Sequence, residues 1–370
     1  MSLLRPAVLG AALAGLRRER AVSSPRFKDG RFENTVPVRS PIKPGATRPT
    51  MTEFFFGGHK RVPTGPLPVE SPLAAWSRPA ETGLRATWLG HSTTLLEIDG
   101  VRVLTDPVWG ERASPSSLVG PRRFHRPPVA VGSLPALDVV LVSHDHYDHL
   151  DYPTIRELAA RRVPFVTSLG VGAHLEEWGV PAASITELDW WETHVVSGPR
   201  GSLGFRATPS RHFSGRGLVR NGTLWSSWVL EGDRHKVFFS GDTGLTDEFV
   251  TIGERCGPFD LVMLEVGAFH PSWGDIHLGA EGALEALAML GGGTFLPVHW
   301  GTFDLALHPW DEPAEIIAAR AERGGLHVVT PRLGRPIEPM RVERIDPWWR
   351  EVARSEQPVP VTAAVLDGLP

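Results

Sequence analysis

Residues 143–151, S-H-D-H-Y-D-H-L-D, constrain this chain more than any other stretch. They place His144, His146, Asp148 and His149 within six positions, directly after the apolar run 137–142. Imidazole nitrogen and carboxylate oxygen are the ligand types that zinc and similar divalent metals prefer. On an extended segment, residues i and i+2 point to the same side, so His144 and His146 reach one metal. Asp148 and His149 lie one turn further on and reach a second. The motif therefore predicts a buried strand that ends in a ligand-bearing loop.

Four ligands do not complete two sites, and three further segments share one pattern. Each is a strand that ends in a ligand-type residue: A-T-P-S-R-H at His212, F-F-S-G-D-T-G at Asp242 and F-L-P-V-H-W-G at His299. Asp242 has two oxygens and can bridge two ions, while Gly241 and Gly244 allow a tight turn around it. Asp106, just before Pro107, has two readings: it orients a ligand histidine, or it is a turn aspartate.

Composition narrows the class. With 370 residues of which 41% are hydrophobic, the chain can bury a sizeable core. A net charge of −4 gives no basic surface for nucleic acid. The single cysteine, Cys256, excludes an internal disulfide and fits a reducing, cytoplasmic setting. No run of 18 apolar residues offers a membrane-spanning helix. The short apolar stretch 6–16 carries its basic flank on the wrong side for a cleaved signal, so a short amphipathic helix or frayed terminus is expected. Residues 1–50 hold ten Lys or Arg against three acids. That bias reads either as a solvated arm or as attraction to an anionic membrane surface. Phe54, Phe55 and Phe56 interrupt this polar segment, as an anchor on the core or as a lipid-facing wedge.

These features divide the chain into a basic, Pro/Gly-rich arm at 1–83 that wraps the core, a hydrolase-type domain at 84–340 and a C-terminal tail at 341–370, with the Pro-rich remainder from Pro331 expected to wrap the surface. Strands are expected at 87–89, 93–98, 101–105, 137–142, 164–167, 205–208, 224–230, 236–240, 261–265, 294–298 and 327–330. Asp99-Gly100 marks a hairpin turn. Helices are expected at 152–161, 172–178, 280–290 and 312–323. Residues 92–99 (S-T-T-L-L-E-I-D) resemble 226–233 (S-S-W-V-L-E-G-D), and each is followed by a strand that ends at an aspartate, Asp106 or Asp242. Two related units facing each other predict an α/β, four-layer αββα sandwich: two mixed β-sheets with helices on the outer faces.

The H-x-H-x-D-H motif with its separate His, Asp and His segments resembles the metallo-β-lactamase superfamily. Within it, W-L-G-H-S-T (88–93), L-T-D-P (104–107) and A-S-P-S…G-P-R-R-F (113–124) resemble the N-acylphosphatidylethanolamine-hydrolysing phospholipase D family. The likeness spans about residues 30–330. It implies two zinc ions, the first on His144, His146 and His212 and the second on Asp148, His149 and His299, with Asp242 and a hydroxide bridging them. It also implies that His277, in G-D-I-H-L, stands beside the substrate phosphate.

The expected activity is phospholipase D-type hydrolysis of an N-acylphosphatidylethanolamine-like phospholipid or other small phosphodiester, with the bridging hydroxide as nucleophile. Asp148, Asp242 and His277 are the candidate catalytic residues. His277 would hold a phosphoryl oxygen or protonate the leaving alkoxide; as an alternative it caps the helix near 280. His91 is expected to contact substrate, and Trp190, Trp191 and Trp273 either line the pocket or pack in the core. Peripheral membrane contact and a homodimer are both compatible with the sequence. Competing readings are a metal-dependent lactonase or β-lactamase-like hydrolase of a small substrate, a metal-dependent sensor that turns nothing over, and a nuclease, which the acidic balance disfavours.

Overall fold

Alternation within the central strands separates two apolar faces. In the strand Thr93–Ile98, Leu96 and Ile98 pack into one cluster and Leu95 into another. In Val139–Val142, Val139 and Leu141 part in the same way from Val140 and Val142. Strands buried on both faces belong to the inner layers of a sandwich.

The computed structural model describes residues 6–38, 60–217, 220–270 and 273–354, so Phe54–Phe56 lie outside it. The hairpin β1 (Phe27–Lys28) and β2 (Arg31–Phe32) stands in the N-terminal segment. The first sheet is built from β3 (Leu84–Gly90), β4 (Thr93–Ile98), β5 (Val101–Thr105), β6 (Val139–Val142), β7 (Phe165–Ser168) and β8 (Ile185–Leu188). The second is built from β9 (Thr193–Gly198), β10 (Gly201–Thr208), β11 (Ser227–Glu231), β12 (Lys236–Phe239), β13 (Leu261–Glu265) and β14 (Thr294–Val298). A short β15 (Pro336–Ile337) returns to pair with β3. The runs β3–β7 and β10–β14 repeat one topology: two antiparallel pairings, then two parallel ones. The repeated sequence at 92–99 and 226–233 falls on matching strands, β4 and β11.

Between the sheets, Trp88, Leu96 and Leu141 share a core with Phe205, Trp228 and Leu230. The helices α1 (Gly15–Val22) and α2 (Leu73–Trp76) belong to the N-terminal segment. On the outer face of the first sheet, α3 (Tyr152–Ala160) and α4 (Val171–Glu177) bury Ile155, Leu158, Val171 and Leu175 against Leu95 and Val142. Asp151 caps α3, accepting from Thr154 N, and Pro153 occupies its first turn. Outside the second sheet lie α5 (Glu248–Cys256), α6 (Gly279–Met289) and α7 (Glu312–Glu322), with α6 packed on β13. The expected four-layer αββα sandwich is the fold observed.

Several elements differ from expectation. β8, β9, β15 and α5 carry no strong sequence signal, and residues 327–330 make only a single bridge, Val328 to Phe295. The stretch expected to run over the surface beyond 341 instead buries Trp348 and Trp349 completely. Trp348 stacks 5.3 Å from Trp300 and lies 6.4 Å from Trp88, so α8 (Trp349–Arg354) closes the core. Large aromatic surfaces leave water wherever a receptive cluster exists, and the charged residues around these two tryptophans obscured that in the sequence. In the N-terminal segment, Ala21 and Phe32 are fully buried with Leu169, Leu224 and Trp225.

Candidate metal centre

Every candidate ligand sits just past the end of a strand, on one rim of the sandwich. β5 leads to Asp106, β6 to the 143–151 loop, β10 to His212, β12 to Asp242 and β14 to His299. The ligand-type atoms gather in two groups. In the first, His144 Nε2 and His212 Nε2 stand 2.9 and 3.2 Å from His146 Nδ1. Asp242 Oδ2 lies 3.8 and 3.7 Å from the same two Nε2 atoms. In the second, Asp242 Oδ1 lies 3.1 Å from His149 Nε2 and 3.2 Å from His299 Nε2. Asp148 Oδ2 lies 3.6 and 3.3 Å from those nitrogens. Asp242 thus gives one oxygen to each group.

The surroundings fix which nitrogen carries a proton. His144 Nδ1 donates to Ser143 Oγ at 2.9 Å, and Ser143 Oγ donates to Asp106 Oδ2 at 2.7 Å. His149 Nδ1 donates to Asp106 Oδ2 at 2.7 Å, and His212 Nδ1 to the Ile276 carbonyl at 2.8 Å. Each donation leaves an Nε2 lone pair aimed inward. Buried His149 Nε2, His299 Nε2 and Asp242 Oδ1 make no hydrogen bond, and orphaned buried polar atoms are costly. Four ligands about 2.0–2.1 Å from a tetrahedral ion stand roughly 3.3 Å apart, inside the spread seen in both groups. The donor set therefore fits a metal in each.

The electrostatics agree. Burial holds His144 and His212 well below the usual imidazole range, so both are neutral, the form a ligand needs. In the second group burial is outweighed by carboxylates. Asp242 and Asp148 hold His149 well above its ordinary value, and Asp242 with Asp148 lifts His299 to about 10. Two acids there demand positive charge, which a divalent cation supplies.

Asp106 is 0% exposed and orients His149 directly and His144 through Ser143, so it is more than a turn residue. His91 takes a place other than the expected one beside substrate. It is 1% exposed, its Nε2 lies 2.9 Å from Asp148 Oδ2, and its ring lies tilted by 40° against that of His299, 3.9 Å between centroids. Burial, then the neighbouring His299, pushes it down to about 3, so it serves as a neutral N–H donor to Asp148. His91, Asp106 and His299 all have positive φ (53°, 34° and 63°), strain of the kind that clusters at functional sites.

His277 lines a recess of ≈ 400 Å³ with Phe269, Trp273 and Ile276. Its Nδ1 lies 2.7 Å from Glu265 Oε2. Glu265, 0% exposed at the end of β13, also accepts from Thr243 N and Leu278 N. Burial disfavours charge on His277, but Glu265 and then Asp242 raise its affinity for a proton. Trp273 faces this recess, whereas Trp190 donates to the Trp225 carbonyl and Trp191 packs under Arg255.

Residues that sequence reasoning missed complete the frame. Glu265 had one signal: like Asp106 and Asp242, it is an acid ending an apolar strand. Arg216, 3% exposed, donates to the carbonyls of Asp145 and Leu150 at 2.7 Å each, and to that of Val8. The N-terminal segment thereby braces the ligand loop, and Asn34 pairs with the His212 backbone in both directions. Nothing in the local sequence marks these distant contacts.

Residues 101–300 match the family model described as the beta-lactamase superfamily domain. The chain belongs to this superfamily, as a hydrolase of its metal-dependent, metallo-β-lactamase type. It is 47% identical over 352 residues to an uncharacterised protein of Mycobacterium tuberculosis, covering 93% of this chain and 92% of that one. It is 36% identical over 289 residues to N-acyl-phosphatidylethanolamine-hydrolyzing phospholipase D 1 of Caenorhabditis elegans, covering 74% of this chain and 81% of that one. Among solved structures, a metallo hydrolase from Ignicoccus hospitalis shares the fold at 22% identity and a TM-score of 0.53, covering 69% of this chain and 97% of that one.

Proposed function

We propose that this chain is a dinuclear zinc phosphodiesterase that hydrolyses N-acylphosphatidylethanolamine-like phospholipids in the manner of a phospholipase D. The observation that carries the dinuclear reading is Asp242, with one oxygen in each ligand group at 3.1–3.8 Å. The likeness to the nematode enzyme supports the lipid substrate. When bound, the ions supply Lewis acidity and bring the pKa of a coordinated water close to neutrality. The protein does the rest. Asp106 and Ser143 fix the tautomers of His149 and His144. His91 holds Asp148 in place through a neutral N–H. Glu265 occupies Nδ1 of His277 and leaves Nε2 for the recess, where it donates to a phosphoryl oxygen or to the departing alkoxide. The test is a substrate panel on the zinc-loaded protein: an N-acylphosphatidylethanolamine, bis(p-nitrophenyl) phosphate, a lactone and a β-lactam. Release of phosphatidic acid from the lipid, abolished by a chelator, is the expected result. Turnover of the lactone or lactam with both phosphodiesters untouched contradicts the proposal.

A further inference from the structure

A cleft of ≈ 1070 Å³ touches none of the seven ligand candidates. It adjoins the centre on two sides. It shares Phe124, Leu305 and Ala306 with a small recess that His299 lines, and Trp273 with the recess of His277. Its wall is the 111–127 loop, which carries the G-P-R-R-F sequence, and it holds five arginines against Glu111 and Asp304. Arg122 pairs with Glu111 at 2.6 Å, and Arg61 stands 4.0 Å from Asp304. Arg112, Arg123 and Arg126 have no carboxylate partner among the described residues.

Arg123 is the most telling of the three. It is 9% exposed, its Nε and Nη2 donate to the Gly110 and Val108 carbonyls, and its Nη1 makes no hydrogen bond. Its guanidinium lies 4.9 Å over the Phe303 ring, and that ring meets His91 edge-on at 5.3 Å. Burial lowers Arg123 only to about 10, so it stays charged at neutral pH. The buried Asp151 carboxylate offsets part of that burial, but no carboxylate oxygen among the described residues pairs with the fork directly, and arginine forks suit phosphate and carboxylate geometry.

We propose that this cleft is a second oxyanion subsite, taking a phosphate or carboxylate distinct from any group held at the metal centre. Arg112, Arg123 and Arg126 supply the charge, while Trp109, Phe124 and Leu307 flank the body that carries the anion. An N-acylphosphatidylethanolamine carries its one charge on the phosphodiester to be cut, so the anion held here belongs to a separate ligand. The inference stands apart from the reaction assigned above, because it concerns binding without turnover.

The test is calorimetric titration of the metal-loaded protein with octyl phosphate, inorganic phosphate and octyl glucoside. Paired titrations use Arg112→Gln/Arg126→Gln, both outside the buried core, and Asp242→Asn. Octyl phosphate is expected to bind Asp242→Asn within about twofold of wild type and to bind the double arginine variant at least about tenfold more weakly. Tighter binding of octyl phosphate than of inorganic phosphate assigns the anion to an amphiphile; equal binding assigns it to free phosphate. Both support the subsite. It is overturned if octyl phosphate binding is lost in Asp242→Asn but unchanged in the arginine variant, or if octyl glucoside binds equally well.

Discussion

At the residue scale, the ligands are legible and their supports are not. His144, His146, Asp148, His149, His212, Asp242 and His299 have side chains whose chemistry announces itself at a strand end, and the structure gathers them into overlapping clusters that His91, Glu265 and His277 join. Asp106 was ambiguous because a turn aspartate before proline looks the same. Only burial and the contacts to His149 and Ser143 decide between the readings. His91 misled for a related reason: proximity to a motif does not say which side of it a ring faces. Asp106→Asn keeps the shape but replaces one carboxylate oxygen with a donor, so it cannot accept from both His149 and the two Ser143 groups. Loss of such an outer contact costs about 10–100-fold in metal affinity or activity. Metal titration followed by phosphodiester turnover checks this, and an unchanged affinity contradicts it.

At the element scale, what could be read depended on burial. β6, β12, β13 and β14 are mainly apolar because both faces are covered, and β4 and β5 flank the Asp99-Gly100 turn, so all were recognisable. β9 is an edge strand, half exposed along its length, and its T-H-V-V-S-G lacks a clean apolar face. α5 buries Phe249, Ile252 and Cys256 on one face, but Gly253 and its β-branched residues mask a helix. The Asp99-Gly100 turn, with φ of 48° and 93°, does more than join β4 to β5. Asp99 accepts from the backbone N–H groups of Arg234 and His235 and from the His235 ring, tying the β11–β12 turn of the other sheet to it. Burial alone would raise the Asp99 carboxyl, yet these donors outweigh it and hold the group below its usual range. A depressed carboxyl contributes stability that is present above its unfolded pKa, near 3.8, and is lost as pH falls through the folded value. Asp99→Asn tolerates the same backbone and removes the charge. It is expected to cost about 1–2 kcal/mol in denaturant unfolding at pH 7, with the difference vanishing in acid. A cost that persists at low pH contradicts the pairing.

At the scale of the whole molecule, two matching halves meet along one rim, and the ligand groups straddle the seam. The first sheet supplies His144, His146, Asp148 and His149; the second supplies His212, Asp242 and His299. Ions held there would link the sheets and couple metal binding to the stability of the fold. Chelation is expected to lower Tm by on the order of 10 °C, restored by added zinc; a Tm indifferent to chelator contradicts that link. The sequence showed the repeat only as eight residues, because what the halves share is topology and buried character rather than particular side chains. Asp242 decides the central claim, and metal content per chain reads it most directly. Wild-type protein loaded with zinc and dialysed is expected to hold two equivalents, and Asp242→Asn at most one, measured by elemental analysis with protein concentration from amino-acid analysis. One equivalent in the wild type, or two in both proteins, contradicts a pair of ions sharing that carboxylate.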